Sequence, residues 1–219
     1  MKASYIMPIM RQAFLHQAVD SVLDQTVSDI EVLIGDSGNC AYYRQDDRIK
    51  RFDASGLNMS QTLNMLIENA SSEILMHAFD DDIQLPNRTE VCLEGIKDCD
   101  IFIASYNKMN EAGEVYAQEY AKPFNLEDYI HNGLNMPLFT GAYRKSKCPK
   151  WNPYLLHMND YGWFLECHKR GLKINVSREI VANMRYWGGQ LSHENPKNRI
   201  LIELDQRLLK EIYGLDVRR

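Results

Sequence analysis

The chain has 219 residues, 45% hydrophobic and 25% charged, the proportions of one soluble domain with its own core rather than of a disordered or fibrous chain. Formal net charge is −5 and no Lys/Arg-rich block occurs, so the phosphate attraction that drives nucleic-acid binding has no source here. No stretch approaches the roughly 18 consecutive apolar residues of a membrane span, and the opening Met1 to Pro8 is too short and too weakly apolar for a signal-peptide core, so a cytoplasmic location is expected.

Residues 4–7 form a short apolar run that predicts a strand ending at Pro8. Phe14, Leu15, Ala18, Val19, Val22 and Leu23 then recur at spacings of three and four, the stripe of a helix. Ile30 to Gly35 is a β-branched run with almost no polar interruption, as expected of a strand buried on both faces, and it stops at the turn formers Asp36-Ser37-Gly38-Asn39. A short strand over 49–52, a helix over 60–70 and a strand over 73–79 follow. This alternation predicts a mainly parallel sheet with helices on its faces.

Beyond residue 88 the spacing predicts a helix over 89–96 and a strand over 100–104. Residues 105–157 are rich in Gly, Pro and aromatics and predict loops, short strands and short helices. A helix over 160–170 is closed by Gly171 at its C′ position, a strand covers 172–176, and a last helix carries an apolar stripe of Leu201, Leu204, Leu208 and Ile212. The five cysteines, Cys40, Cys92, Cys99, Cys148 and Cys167, include no C-x-x-C pair and no zinc spacing, and are expected to be reduced thiols. Four N-x-S/T sites, at Asn58, Asn69, Asn87 and Asn175, are chance matches in a chain expected in the cytoplasm.

In open α/β sheets ligands bind beyond the carboxyl ends of the strands. Three polar clusters fall at such ends: Pro8 to Arg11, Asp36 to Gly38, and Asp80-Asp81-Asp82. Three adjacent carboxylates after a buried strand repel one another, and a hard divalent cation, Mg²⁺ or Mn²⁺, is the natural compensation; the alternative is a solvated acidic turn capping the next helix.

The same residues carry a family resemblance. Tyr5 to Arg11, with Phe14-Leu15 and Ser21 to Thr26, resembles "VIIPTYNR…FL…SVLNQT", the opening of the GT-A-fold glycosyltransferases of the family 2 group. Ile30 to Gly38 is similar to "FEIIVVDDG", Leu63-Asn64 with Ala70 to Leu75 to "LN…A.GEYI", and Asp81 to Arg88 to "DDISLPNR". More weakly, Asn159-Asp160-Tyr161 stands where the family writes "EDY", and Met184 to Ser192 resembles "YR.H.GSLS". The resemblance implies one α/β domain of GT-A fold, a Rossmann-like nucleotide-diphospho-sugar transferase with a mainly parallel central sheet flanked by helices. About 1–100 would bind the donor and about 101–219 would serve the acceptor, and the domain would be one module of a longer protein.

Carried over by position, the resemblance places Pro8, Ile9, Arg11, Asp36, Asn64, Asp80, Asp81 and Arg185 on a UDP-sugar. It places Asp80, Asp81, Asp82 and His193 on Mn²⁺ or Mg²⁺, and makes Asp160 the general base that deprotonates a hydroxyl of a glycan acceptor. The implied reaction moves a hexose or deoxyhexose with inversion. Departures are specific. Without gaps the family's first D-x-D aspartate falls on Phe79, leaving either Asp80 with Asp82, or Asp81, as metal ligand. Ser37 replaces the second acid of "DDG", Arg11 the asparagine of "TYNR", Asn159 the glutamate of "EDY", and Trp187 the late histidine.

Each residue also has a plain structural reading. Asp160 would serve as a helix N-cap, Arg185 would pair with a surface acid, and His77 is expected to be a satisfied core residue. Trp163 and Phe164 are expected in the core, whereas Trp151, Trp187, Tyr143 and Tyr154 lie in predicted loops where they would stack on an acceptor sugar. Two other functions stay open. A nucleotidyltransferase usually has a Gly-rich basic loop after the first strand, but Pro8 to Phe14 has no glycine and one arginine. A non-catalytic sugar-binding domain would bind a donor without turning it over.

Overall fold

β1 (Ala3–Ile9) is buried at every position because it lies between two parallel neighbours, β2 (Ile30–Asp36) and β4 (Ile74–His77). β3 (Ile49–Asp53) pairs in parallel with the outer side of β2, giving the order β3-β2-β1-β4. The computed structural model describes residues 1–38, 44–132, 136–189 and 196–215. β1 continues through Pro8 instead of stopping there. Ile6 O accepts from Ala78 N and Ile9 O from Ser37 N, so alternate residues face β4 and β2, and the missing N–H of Pro8 points past Ile6↔His77, where the pairing with β4 has ended.

Alternation along β1 feeds two apolar layers. Tyr5, Met7 and Ile9 join Val32, Ile34 and the buried face of α1 (Leu15–Leu23), which is Leu15, Ala18, Val19, Val22 and Leu23 as the periodicity predicts. Ile6 joins Leu33 and Leu75 under α2 (Met59–Asn69), on the face that also takes Trp163 and Phe164. α2 begins with a capping box: Asn58 Oδ1 accepts from Gln61 N, and Gln61 Oε1 from Asn58 N. It lies so close to β2 that a Cβ on Gly35 would come within 2.5 Å of Thr62 Cγ2.

The rest of the sheet is mixed. β8 (Ala142–Arg144) runs antiparallel to β4 and to β6 (Ile101–Met109), β7 (Val115–Glu119) forms a hairpin with β6, and β9 (Ile174–Arg185) is parallel to β6 and antiparallel to the two-residue β5 (Ile83–Gln84). β6 and β9 run well past the ends expected at 104 and 176. Asn107 and Lys108 on one strand and Ser177, Arg178 and Glu179 on the other interrupt the apolar pattern, because this part of the pair is covered only partly.

α3 (Arg88–Gly95), α4 (Leu126–Asn132) and α5 (Asn159–Lys169) follow their neighbouring strands, and Gly171 closes α5 with φ +69°, as expected. α6 (Pro196–Tyr213) turns inward a face only partly the one expected: Leu208 of the expected stripe packs against the core. Leu204 and Ile212 are about half exposed, whereas Leu209 and Asp205 are buried. The polar Asp205 disguised the true face in the sequence. Cys92, Cys99, Cys148 and Cys167 are free thiols. No helix among the described residues is long and apolar enough to cross a membrane.

Candidate active site

The carboxyl ends of β1 and β4 meet through Asp80. Its Oδ2 accepts from the backbone N–H of Met10 (2.8 Å) and Arg11 (2.7 Å), while Oδ1 takes Arg11 Nη2 at 2.6 Å. Asp81 Oδ2 receives Trp187 Nε1 at 3.0 Å and lies 3.2 Å from Arg11 Nη1. Asp82 Oδ1 receives the backbone N–H of Arg185 at 3.0 Å. All three carboxylates are almost completely buried.

Two arginines frame this cluster. Arg11 also donates to Gly189 O and lies over the Trp187 ring, 5.7 Å from its centroid, while Trp187 meets Phe14 edge-on. Arg185 is itself buried: Nε donates to Asp81 O, Nη1 to Glu111 O and Nη2 to Gln17 Oε1, with the guanidinium 4.0 Å over Phe14. Burial raises the Asp81 pKa against the pull of Arg11. Burial, followed by the charge of Asp81, raises Asp82 far more. Two neighbouring buried acids resist ionising together unless further positive charge arrives.

A divalent cation fits this requirement on a reduced set of ligands. Asp80 is spent on Arg11 and two N–H groups, which leaves Asp81 and Asp82, and one or two carboxylates suffice when diphosphate and water complete the shell. Among the described residues no group of three or more His, Cys, Asp or Glu converges as a ready-made metal centre. His193, expected as a third protein ligand, lies outside the described residues, as do Leu191 and Ser192.

Pro8 and Ile9 lie at the end of β1 with buried side chains, so they would face a donor with backbone only. Ile9 O accepts Ser37 Oγ at 2.9 Å, tying this end to β2, where Asp36 Oδ1 accepts from Gly38 N. Asn64, expected on the donor, instead clamps a loop: Nδ2 donates to Trp151 O (2.8 Å) and Oδ1 accepts from Trp151 N (2.9 Å). Its amide is committed at both ends.

Asp160 lies in the first turn of α5, whose N-cap position is Met158, so it does not cap the helix. Its Oδ1 accepts from Tyr161 N at 2.9 Å and Tyr129 Oη donates to its carbonyl at 3.4 Å. Tyr129 stacks on Tyr161 at 4.5 Å, which steadies this turn. Among the described residues no hydrogen bond, ion pair or ring contact joins Asp160 to the Asp80 to Asp82 cluster.

Several aromatic expectations change. Trp151 and Tyr143 are buried: Trp151 stacks on Trp163 at 5.3 Å and Tyr143 Oη meets His77 Nε2 at 2.8 Å, so neither presents a face to a sugar. His77 is the core residue expected, held neutral by burial and by Arg88, with its pKa pulled down to about 3. Trp187 turns to the carboxylates, and only Tyr154 is largely exposed. Sequence reasoning missed Phe14 and Gln17 as supports of Arg185. It also gave no role to Arg88, which is buried, bonds Gln84, and donates to the carbonyls of His77 (2.7 Å) and Gly141 (3.1 Å). Its place in the quoted motif was the available signal.

No family model matches the chain. An uncharacterized glycosyltransferase of Rickettsia conorii is 28% identical over 123 residues, covering 52% of this chain and 20% of that protein. Glycosyltransferase GlyG of Streptococcus pneumoniae is 27% identical over 138 residues, 57% of this chain and 46% of that protein. The chain thus spans less than half the length of these relatives. Among solved structures, residues 1–349 of TarS from S. aureus superpose over 100% of this chain and 68% of that one with UDP-GlcNAc bound, at TM-score 0.67 and 13% identity. The UDP complex of the same protein gives TM-score 0.62 at 14% identity, again over 100% of this chain and 67% of that one.

Proposed function

We propose that this chain, a GT-A fold similar in sequence to glycosyltransferases, moves a hexose or deoxyhexose from a UDP-sugar to a hydroxyl of a glycan acceptor. The observation that carries the reading is the junction at Asp80 to Asp82, where the ends of β1, β4 and β9 meet with Arg11, Arg185 and Trp187 around three buried carboxylates.

Pro8, Ile9 and Asp36 would line the nucleoside. Arg11 would face the diphosphate, able to exchange its contact to Asp81 for a phosphate oxygen, while the buried Arg185, bonded to Asp81 O, Glu111 O and Gln17 Oε1, would add positive charge beside it. Mn²⁺ or Mg²⁺ on Asp81 and Asp82, when bound, supplies Lewis-acid stabilisation of charge on the departing diphosphate. Asp160 accepts the acceptor hydroxyl's proton as that oxygen bonds to the anomeric carbon and the bond to the diphosphate breaks, giving inversion. The side-chain oxygen of Asp160 left over from its bond to Tyr161 N is the one that takes the proton.

A panel of UDP-sugars headed by UDP-GlcNAc, assayed for released UDP with Mn²⁺ or Mg²⁺ and with EDTA, tests this reading. Turnover that depends on the metal and is abolished in Asp160→Asn, with UDP affinity changed less than a few fold, is expected. Donor binding without UDP release would support a sugar-binding domain instead.

A further inference from the structure

Asp205 is 2% exposed on the inner face of α6, and both of its oxygens are spent on one short segment. Oδ1 accepts from Leu156 N at 3.1 Å, and Oδ2 from His157 N at 2.6 Å and Met158 N at 2.7 Å. Among the described residues no cation pairs with it. Burying a carboxylate costs several kcal/mol unless hydrogen bonds replace its water, and here three successive backbone N–H groups do so. Docking alone would need no acid. Leu209, fully buried one turn later, shows what an ordinary contact looks like on this face.

The segment held by Asp205 ends at the N-cap of α5. Met158 makes no side-chain capping bond of its own, so the carboxylate from α6 fixes the entry to the helix from outside. Further on, Tyr213 Oη donates to Gly162 O at 3.3 Å, and a Cβ at Gly162 would collide with Leu155 and touch Leu209 at 3.4 Å, so the two helices are in register at this turn. Asp160 lies between these anchors, two residues after Met158 and two before Gly162.

We propose that Asp205 is a positioning residue for group transfer, holding 156–158 so that the carboxylate of Asp160 stands in one place. The inference rests on the assignment of Asp160 as base. Placing a catalytic group wrongly by about 1 Å costs on the order of 100-fold in rate, so a fixed helix entry has kinetic value.

Asp205→Asn, which keeps the shape, and Asp205→Ala test it in the full chain. UDP release from the turned-over UDP-sugar, UDP affinity by calorimetry, and amide exchange at Leu156, His157 and Met158 are measured together. The expected result is a kcat about 10-fold lower in Asn and about 100-fold lower in Ala, with donor KM and UDP affinity within about threefold and faster exchange confined to those amides. Unchanged kcat despite faster exchange at 156–158 overturns the inference. So does loss of protection throughout the molecule in both variants, which would make Asp205 a general support of the fold. A wild-type chain that turns over no UDP-sugar refutes the enzyme reading itself, and is told apart because the variants then have no rate to lose.

Discussion

Arg11 holds Asp80 twice, once through its own backbone N–H at 2.7 Å and once through its guanidinium at 2.6 Å, so a single residue closes the loop after β1 onto the end of β4. The same side chain reaches Asp81, which makes Arg11 the cation on which two of the three buried acids rely.

Arg11→Ala would leave that charge uncompensated. Removing one partner of a buried ion pair costs about 3–5 kcal/mol, and Arg11 is partly solvated, so a loss near the lower end is expected in urea unfolding. Arg11→Lys should recover part of this, since a point charge reaches one carboxylate but cannot fork between two.

The three acids should separate by role in metal titrations. Asp81→Asn and Asp82→Asn are expected to lower metal-dependent UDP affinity at least 10-fold. Asp80→Asn is expected to weaken UDP binding equally with and without metal, because it loosens the Arg11 loop. Calorimetry with UDP, in Mn²⁺ and in EDTA, distinguishes the two patterns.

Acid should destabilise the fold from two sites outside the acidic triplet. Burial would raise the Glu31 pKa, but Lys50, Ser4 and Ser71 outweigh it and hold it down to about 2, against 4.5 when free. His77, held down to about 3 by burial, titrates near 6.5 when unfolded. In both cases the unfolded chain binds more protons in the window, so stability falls as pH drops, from 6.5 toward 3 for His77 and from 4.5 toward 2 for Glu31. Raised carboxyls at Asp81 and Asp82 act in the opposite sense, so denaturant midpoints from pH 7 to pH 3 are compared between wild type and Glu31→Gln, in which the acid loss below 4.5 should flatten.

Asn64→Ala should free the Trp151 backbone and destabilise the chain by about 1–3 kcal/mol, the cost of leaving buried partners unpaired. UDP affinity should stay within about twofold. A tenfold loss of UDP affinity in a folded variant would return Asn64 to the donor.

The sequence is most readable where one period governs. The stripe of α1 from Leu15 and the buried run of β2 appear in the structure where the spacing puts them, with β2 extended into Asp36; Asn39 of the expected turn lies outside the described residues. Reading is harder where polar residues are buried by partners far along the chain. Asp205 hid the inner face of α6 because its three N–H partners lie 47 to 49 residues away. Arg185 looks like a surface cation until Phe14, Gln17 and Glu111 are seen around it. Asn64 matches a motif residue, yet its partner comes from residue 151. Local pattern carries no signal for such pairings.

β9 is the last strand among the described residues, yet its pairing at Ile83↔Asn183 and the N–H of Arg185 on Asp82 complete the acidic corner begun by β1 and β4. During synthesis the three aspartates would therefore emerge roughly a hundred residues ahead of the strand that closes over them. A nascent or truncated chain ending before Arg185 would carry the acidic triplet without its lid of Arg185 and Trp187. The acidic corner would therefore stay open to water until translation has passed β9.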